Sequence, residues 1–290
     1  MRVLITGAGG MLGKVCVEIC REAGDEVFSF SRAELDISDP GQTYEKAAET
    51  KPEVIINCAA MTDVDGAESK RDLAYSVNCR GVWNLATAAR LTNSLLITVS
   101  TDFVFDGTKD GFYTQRDTPN PLGIYAKSKR DGELAAIAEC ANSIVVRSGW
   151  IFGLGGKNFL SKIPEMILHG REFTAINDSF GTPTFAVDLA KRIRELAILD
   201  LPGIYHVVNS GPGATFEEFA RLAAKFLNCS EDLIAGISAE ELKRPAPRPK
   251  NSRLACLLSE RLGLAELPDW KDALERFCAQ VRSNQQAAHY

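Results

Sequence analysis

A short apolar run with β-branched residues opens the chain at residues 2–6 and reads as a buried parallel strand. A helical pattern follows over residues 14–22. Strand-like and helix-like stretches then take turns, with strands at 26–31, 54–58, 95–100 and 143–147 and helices at 41–50, 71–92 and 125–140. This order predicts a parallel sheet wrapped by helices on both sides. Beyond residue 147 the alternation loosens. Helices are expected at 158–169, 188–199 and 215–227, a strand at 204–208, and an amphipathic closing helix at 270–282. Residues 242–253 form a loop rich in proline and arginine, and the polar residues 283–290 predict a frayed end.

Three glycines sharpen the fold class. Gly7, Gly10 and Gly13 stand three apart, directly after the first strand and at the start of the first helix. Such a turn lets backbone approach a diphosphate, and the helix N-terminus offers free N–H groups and the positive end of its dipole. The expected architecture is therefore α/β: a Rossmann-type doubly wound parallel sheet over residues 1–150 and a smaller C-terminal lobe over 151–290. The helix near 185–200 is expected to pack back on the first unit. In such sheets ligands bind beyond the C-terminal strand ends. The glycine turn, Asn57-Cys58-Ala59-Ala60 and Ser100-Thr101-Asp102 all fall there.

Composition narrows the partners. The 290 residues carry a net charge of -5, which gives no general attraction to nucleic acid or anionic membrane. An anionic substrate would need a local basic pocket, and Lys243, Arg244, Arg248, Lys250 and Arg253 cluster in the late loop. There is no apolar run of membrane-spanning length, and the N-terminus enters its first strand without a signal-peptide cleavage region. The eight cysteines include no C-x-x-C pair, which predicts free thiols in a cytoplasmic protein. His169, His206 and His289 are too few and too spread to suggest a zinc site.

The candidate chemistry centres on Tyr125 and Lys129, one helical turn apart on one face. A phenol is a poor acid or base at neutral pH, and a fixed cation beside it favours the phenolate. Thr101 follows the strand before this helix, and a doubly wound sheet can bring its hydroxyl to the same point. A hydroxyl, a phenol and an ammonium around one carbonyl oxygen is the arrangement of short-chain dehydrogenase/reductases.

The chain resembles an extended short-chain reductase, and most closely the dTDP-4-dehydrorhamnose reductase family. The motifs run nearly end to end: Gly7-Ala-Gly-Gly-Met-Leu-Gly13, Leu35-Asp-Ile37, Asn57-Cys-Ala-Ala-Met-Thr-Asp-Val-Asp65 with Glu68, and Ser100-Thr-Asp-Phe-Val-Phe-Asp-Gly107. Pro121-Leu-Gly-Ile-Tyr-Ala-Lys-Ser-Lys129, Arg147-Ser-Gly-Trp150, Asn158-Phe159, Asn177-Asp-Ser-Phe-Gly-Thr-Pro-Thr184 and Arg248-Pro-Lys-Asn-Ser252 complete the set. The resemblance implies that Tyr125 donates a proton, that Lys129 holds the nicotinamide ribose and lowers the tyrosine pKa, and that Thr101 positions a sugar ketone. It places Asp102, Trp150 and Asn158 in the substrate site. Gly10, Met11 and Leu12 match the diphosphate turn, Asp36 and Ile37 lie near the adenosine, and Ala60, Met61 and Thr62 lie beside the riboses. The implied reaction reduces the C4 ketone of a dTDP-4-dehydro-6-deoxyhexose, giving dTDP-L-rhamnose, in a monomer or homodimer. Arg248 is expected to meet the substrate diphosphate, since guanidinium grips phosphate oxygens bidentately.

Each position also has a plain structural reading. Asn57 and Thr62 can cap a turn, Asp65 and Glu68 can serve a helix N-terminus, and Trp150 can be interface core. The family's reported magnesium site is not expected here, because Lys14-Val15 stand where a glutamate is required. Two other readings compete: a non-catalytic NADP-binding subunit resembling the methionine adenosyltransferase β subunit, and another sugar-nucleotide reductase, dehydratase or epimerase. Dehydratases place an Asp-Glu pair after the threonine. Here Asp102 is followed by Phe103, which cannot move a proton.

Cofactor choice is read at the end of the second strand, where a carboxylate usually takes the adenosine 2′-hydroxyl. Ser31 and Arg32 stand there, with Glu34 and Asp36 shortly after. A hydroxyl and a guanidinium suit a 2′-phosphate, which predicts NADPH in preference to NADH.

Overall fold

The computed structural model describes residues 1–287. The first half builds β1 (Arg2–Thr6), α1 (Met11–Glu22), β2 (Glu26–Phe30), α2 (Pro40–Thr50), β3 (Val54–Asn57), α3 (Val64–Ser69), α4 (Arg71–Tyr75), α5 (Gly81–Thr92), β4 (Leu95–Thr101), α6 (Ile124–Glu139) and β5 (Ser143–Ser148). The second half adds β6 (Ile151–Phe152), α7 (Phe159–Leu168), β7 (Phe173–Ile176), β8 (Thr184–Phe185), α8 (Ala186–Leu199), β9 (Gly203–His206), α9 (Phe216–Leu227), β10 (Ile234–Ile237) and α10 (Trp270–Ala287).

Six strands form one parallel sheet in the order β2-β1-β3-β4-β5-β9. The chain leaves β1 to one side for β2 and returns to the other side for β3. The switch point therefore lies between β1 and β3, and the crevice at their C-terminal ends is where such sheets take ligands. Strand alternation splits the core. Val3, Ile5, Ile56, Ile97 and Val146 pack with α1 and α8 on one face. Leu4, Ile55, Leu96 and Val145 pack with α5 and α6 on the other. Strands buried on both faces read as the continuous apolar runs seen in the sequence.

A second core gathers Phe152, Phe185, Phe219, Phe277 and Trp270 between α7, α9 and α10. The β7–β10 pair borders it. A division at residue 150 does not coincide with these cores. Helix α8 packs on α1, and β9 pairs with β5, so two segments from the second half complete the first unit.

Several boundaries differ from expectation. The helix predicted over 71–92 forms as α4 and α5 joined by a wider π-helical turn, Ser76–Arg80. Asn78 in that turn turns inward: its Oδ1 accepts the Met61 N–H at 2.9 Å, and its Nδ2 reaches Ser128 Oγ at 3.0 Å. The closing helix continues to Ala287, past the predicted fraying point at 283, while residues 288–290 lie outside the described range. Strands β6 and β8 have two residues each, too few to display a period. Among the described residues, no helix is long and apolar enough to cross a membrane.

Candidate active site

The glycine turn is shaped by close approaches. Gly7 has φ 66°, and a Cβ there would lie 2.6 Å from the Ala59 nitrogen. A Cβ on Gly13 would collide with the Gly7 carbonyl oxygen, so only glycine lets α1 start directly against the turn. Gly10 caps α1 without a side chain, and the first turn carries no acid. The N–H groups of Met11, Leu12 and Gly13 thus stand at the crevice with the helix dipole behind them. These residues fit the diphosphate of a dinucleotide.

The β3 end forms the opposite wall. Asn57 is buried and spends its side chain on structure: Oδ1 accepts from Thr6 Oγ1 at 2.7 Å and from the Ala59 N–H at 3.1 Å. Ala60 and Met61 are half-buried and Thr62 is exposed, so this segment faces the crevice. The hold of Asn78 on both backbone groups of Met61 was not anticipated from the sequence. A single asparagine inside a helical pattern carries no such signal.

At the end of β2 a later carboxylate swings back. The Ser31 N–H donates to Glu34 Oε2 at 2.8 Å. A carboxylate therefore does stand at the strand end, folded back from three residues on. The Ser31 backbone and hydroxyl hold the Glu34 carboxyl below its usual range. Arg32 is exposed beside it. Asp36 is also committed locally, its Oδ1 accepting from the Ser38 N–H and hydroxyl at 3.0 and 2.7 Å. Ile37 is turned inward. Its side chain is core, and its carbonyl accepts from Asn84 Nδ2 at 2.9 Å.

Tyr125 and Lys129 lie in the first turns of α6, and Thr101 ends β4. Thr101 and Lys129 are buried and Tyr125 is half-buried. Burial pushes the Tyr125 phenol up to about 12, against the pull of the Thr101 hydroxyl, and the Asp102 carboxyl adds to the rise. Burial pulls the Lys129 ammonium down to about 8, while Glu133 and Cys58 hold it up. Lys129 Nζ donates to the Val99 carbonyl at 2.6 Å, which ties α6 to β4. In this arrangement burial and the Thr101 hydroxyl set the phenol; Lys129 is engaged with the strand rather than with the phenol.

Asp102 is buried, with Thr101 Oγ1 donating to its Oδ1 at 3.1 Å. Its Oδ2 is buried without a hydrogen-bond partner. Burial pushes the carboxyl up to about 6, against the hydroxyls of Ser252 and Thr101. A carboxyl with its pKa raised this far is still mostly an acceptor at neutral pH and becomes a hydrogen-bond donor as the pH falls through about 6. Phe103 lies edge-on to Tyr125, ring centroids 6.3 Å apart.

Phe103 also lines a cleft of about 310 Å³ between the sheet and the second core, together with Trp150, Phe216, Arg244, Arg248 and Lys250. Trp150 stacks on Phe216 at 3.8 Å and takes φ 50°, a left-handed backbone that only firm packing holds in a tryptophan. Its ring fills the space a Cβ on Gly181 would need. Trp150 is thus both packed and cleft-lining.

Arg248 faces the same cleft but is already paired. Its two terminal nitrogens reach the two Asp65 oxygens at 2.9 Å each. Asp65 also accepts the Ala246 N–H at 3.1 Å. The Arg248 hydrogen bond, outweighing burial, holds the Asp65 carboxyl below its usual range. Arg244 lines the cleft with no ion pair among the described residues, and burial together with the Arg248 charge lowers its pKa. It is the cation better placed to receive an anion, and the run of basic residues did not distinguish it. Asn158 does not join the cleft. It caps α7, its Oδ1 accepting from the Ser161 N–H at 3.0 Å, and its Nδ2 donates to the Ile151 carbonyl at 2.9 Å.

The arrangement finds close counterparts among known proteins. The family model described as the RmlD substrate binding domain matches residues 1–283. The dTDP-4-dehydrorhamnose reductase of Mycobacterium tuberculosis is 37% identical over 285 residues, covering 94% of this chain and 91% of that one. The reductase of the same name from Streptomyces griseus is 35% identical, with 94% and 91% covered. The crystal structure of the Bacillus anthracis dTDP-4-dehydrorhamnose reductase in complex with NADP superposes with a TM-score of 0.92 at 35% identity, covering 96% of this chain and 99% of that one. With its sheet, glycine turn and Tyr125–Lys129 helix carried on a match of nearly full length, the chain belongs to the RmlD substrate binding domain family.

Proposed function

We propose that the protein is an NADPH-dependent reductase of sugar nucleotides, which converts the C4 ketone of dTDP-4-dehydro-L-rhamnose to the alcohol of dTDP-L-rhamnose. The observation that carries this reading is the meeting of Thr101, at the end of β4, with Tyr125 and Lys129 in the first turns of α6. The names of the relatives in Mycobacterium tuberculosis and Streptomyces griseus and the NADP held by the Bacillus anthracis enzyme support it. The cofactor supplies the hydride to the C4 carbon.

The chain's own residues do the rest. The N-terminus of α1 and the glycine turn receive the cofactor diphosphate, and the Ala60–Met61–Thr62 segment borders the riboses. Thr101 holds the ketone oxygen by hydrogen bonding, and Tyr125 gives that oxygen a proton as negative charge develops on it. The phenol's high pKa means the proton stays on the oxygen that donates it until the ketone accepts it. Lys129, with its ammonium near pKa 8, supplies a positive charge one turn away. Trp150 and Phe103 present apolar faces to the sugar, and Arg244 with the Arg248–Asp65 pair receives the diphosphate at the cleft. The second core serves as a substrate-binding lobe. The protein works in the cytoplasm as a monomer or homodimer.

The test is direct. Purified protein, dTDP-4-dehydro-L-rhamnose and NADPH are followed through the absorbance of the reduced nicotinamide, with the product identified by mass spectrometry. Turnover to dTDP-L-rhamnose is expected. Tight NADPH binding with no turnover of this sugar or its 4-keto epimers would instead favour a non-catalytic subunit.

A further inference from the structure

One buried charge cluster lies directly behind the proposed active site and is not used by the chemistry above. Tyr125, Lys129 and Glu133 follow each other at one-turn intervals along α6, so they share a face. Glu133 is 1% exposed, and its carboxylate collects four donors. Ser100 Oγ reaches Oε1 at 2.6 Å, Arg147 reaches Oε1 at 2.9 Å and Oε2 at 2.7 Å, and Arg130 reaches Oε2 at 2.6 Å. Arg147 is 2% exposed, lies over the Phe105 ring at 5.3 Å, and meets His206 Nε2 at 3.4 Å.

A buried ion pair is weak support for stability, since desolvation offsets most of its attraction. Its placement is more informative. Ser100 immediately precedes Thr101, and Val99, one residue earlier, accepts from Lys129. The strand carrying the threonine hydroxyl is therefore tied to the tyrosine helix at two successive residues. Glu133 makes one tie and Lys129 the other.

We propose that Glu133 is a positioning residue for the ketone reduction: it fixes Thr101 against Tyr125 through Ser100 and places a carboxylate one helical turn from Lys129. The proposal rests on the reductase reading above. Glu133 on its own helix and Cys58 at the end of β3 are the titratable groups that hold the Lys129 ammonium up. Arg130 and Arg147 are both paired with the Glu133 carboxylate. Removing the carboxylate charge takes away the larger of the two supports of the Lys129 ammonium and favours neutral lysine.

The experiment compares wild type, Tyr125→Phe, Glu133→Gln, Glu133→Asp and Ser100→Ala. Lys129 is titrated in protein labelled with carbon-13 lysine, its signal assigned by Lys129→Arg, and kcat is measured against pH. Glu133→Gln is expected to move the Lys129 midpoint and the alkaline fall of kcat down by about one pH unit and to lower kcat about tenfold. Glu133→Asp should restore the midpoint but not the full kcat. Ser100→Ala keeps the ion pair and should lower kcat several-fold with KM and melting temperature near wild type. A Lys129 midpoint unchanged in Glu133→Gln overturns the proposal, as does a Ser100→Ala enzyme with wild-type kcat. If Glu133→Gln fails to fold, the Ser100→Ala result decides. Loss of the reductase reading looks different: the wild type would not turn over, and the lysine titration would still report on Glu133.

Discussion

Glu68 Oε1 accepts the Ile124 N–H at 2.8 Å, so a carboxylate on α3 caps the helix that carries Tyr125. Gly123 supplies no cap of its own, and a side chain there would intrude on the Glu68 carboxylate. One turn earlier on α3, Asp65 grips Arg248 in the cleft loop. A helix of six residues thus joins the start of α6 to the substrate cleft. Glu68→Ala should cost about 1 kcal/mol, the usual worth of a lost cap, and lower kcat by loosening the first turn of α6. Urea unfolding and steady-state rates check both. An unchanged midpoint would mean that water replaces the carboxylate without loss.

Tyr125→Phe keeps the ring and its contact with Phe103 while removing the proton. We expect kcat to fall on the order of 10²–10⁴, with NADPH affinity little changed. Near-normal turnover in single-turnover measurements would remove Tyr125 from the mechanism.

The two arginines of the cleft should separate. Arg244→Ala should raise KM for the nucleotide sugar about tenfold, the scale of one charge-assisted contact, without affecting the cofactor. Arg248→Ala should resemble Asp65→Asn, because each breaks the same pair, and should cost stability as well as KM. Equal stability loss in Arg244→Ala would show that it too is structural.

Cofactor preference should depend on Glu34 as well as Arg32. The carboxylate held at Ser31 repels a 2′-phosphate, whereas Arg32 attracts one. Arg32→Ala should reduce the kcat/KM for NADPH about ten- to a hundredfold and leave NADH nearly unchanged. Glu34→Gln should shift the preference toward NADPH. A variant that lost both cofactors equally would place these residues outside the 2′ site.

His206 provides a pH signature. Burial, helped by the Arg147 charge, pulls its pKa down to about 4. The unfolded chain binds this proton near pH 6.5 and the folded chain only near pH 4, so the unfolded state holds more protons between those values. Stability from this residue is therefore complete above about pH 6.5 and falls as the pH drops toward 4. The full loss is on the order of 3 kcal/mol. Denaturant midpoints for wild type and His206→Gln across this range check the sign: the variant should lose that slope.

Much of the fold was legible because parallel strands buried on both faces are continuous apolar runs, and each is followed by a helical period. The glycine turn was legible for a related reason. Backbone closeness such as that between Gly13 and Gly7 excludes every side chain, so the constraint is written in residue identity. The Tyr125–Lys129 spacing likewise states a shared helix face. Asp65 and Glu68 were recognised as motif residues and as charges suited to a helix start, but the identity of their partners was not in the string.

What the tertiary structure decided are the pairings between distant segments. Arg248 is committed to Asp65, Arg244 is left to the cleft, Glu34 returns to Ser31, Asn158 becomes a cap, and Ile37 enters the core. Residue type states what a side chain can donate or accept. Its partner depends on which atoms folding brings within about 3 Å, and on how much water is excluded there. The same packing sets the phenol of Tyr125 high and the ammonium of Lys129 low, because desolvation is a property of the assembled surroundings and not of the residue.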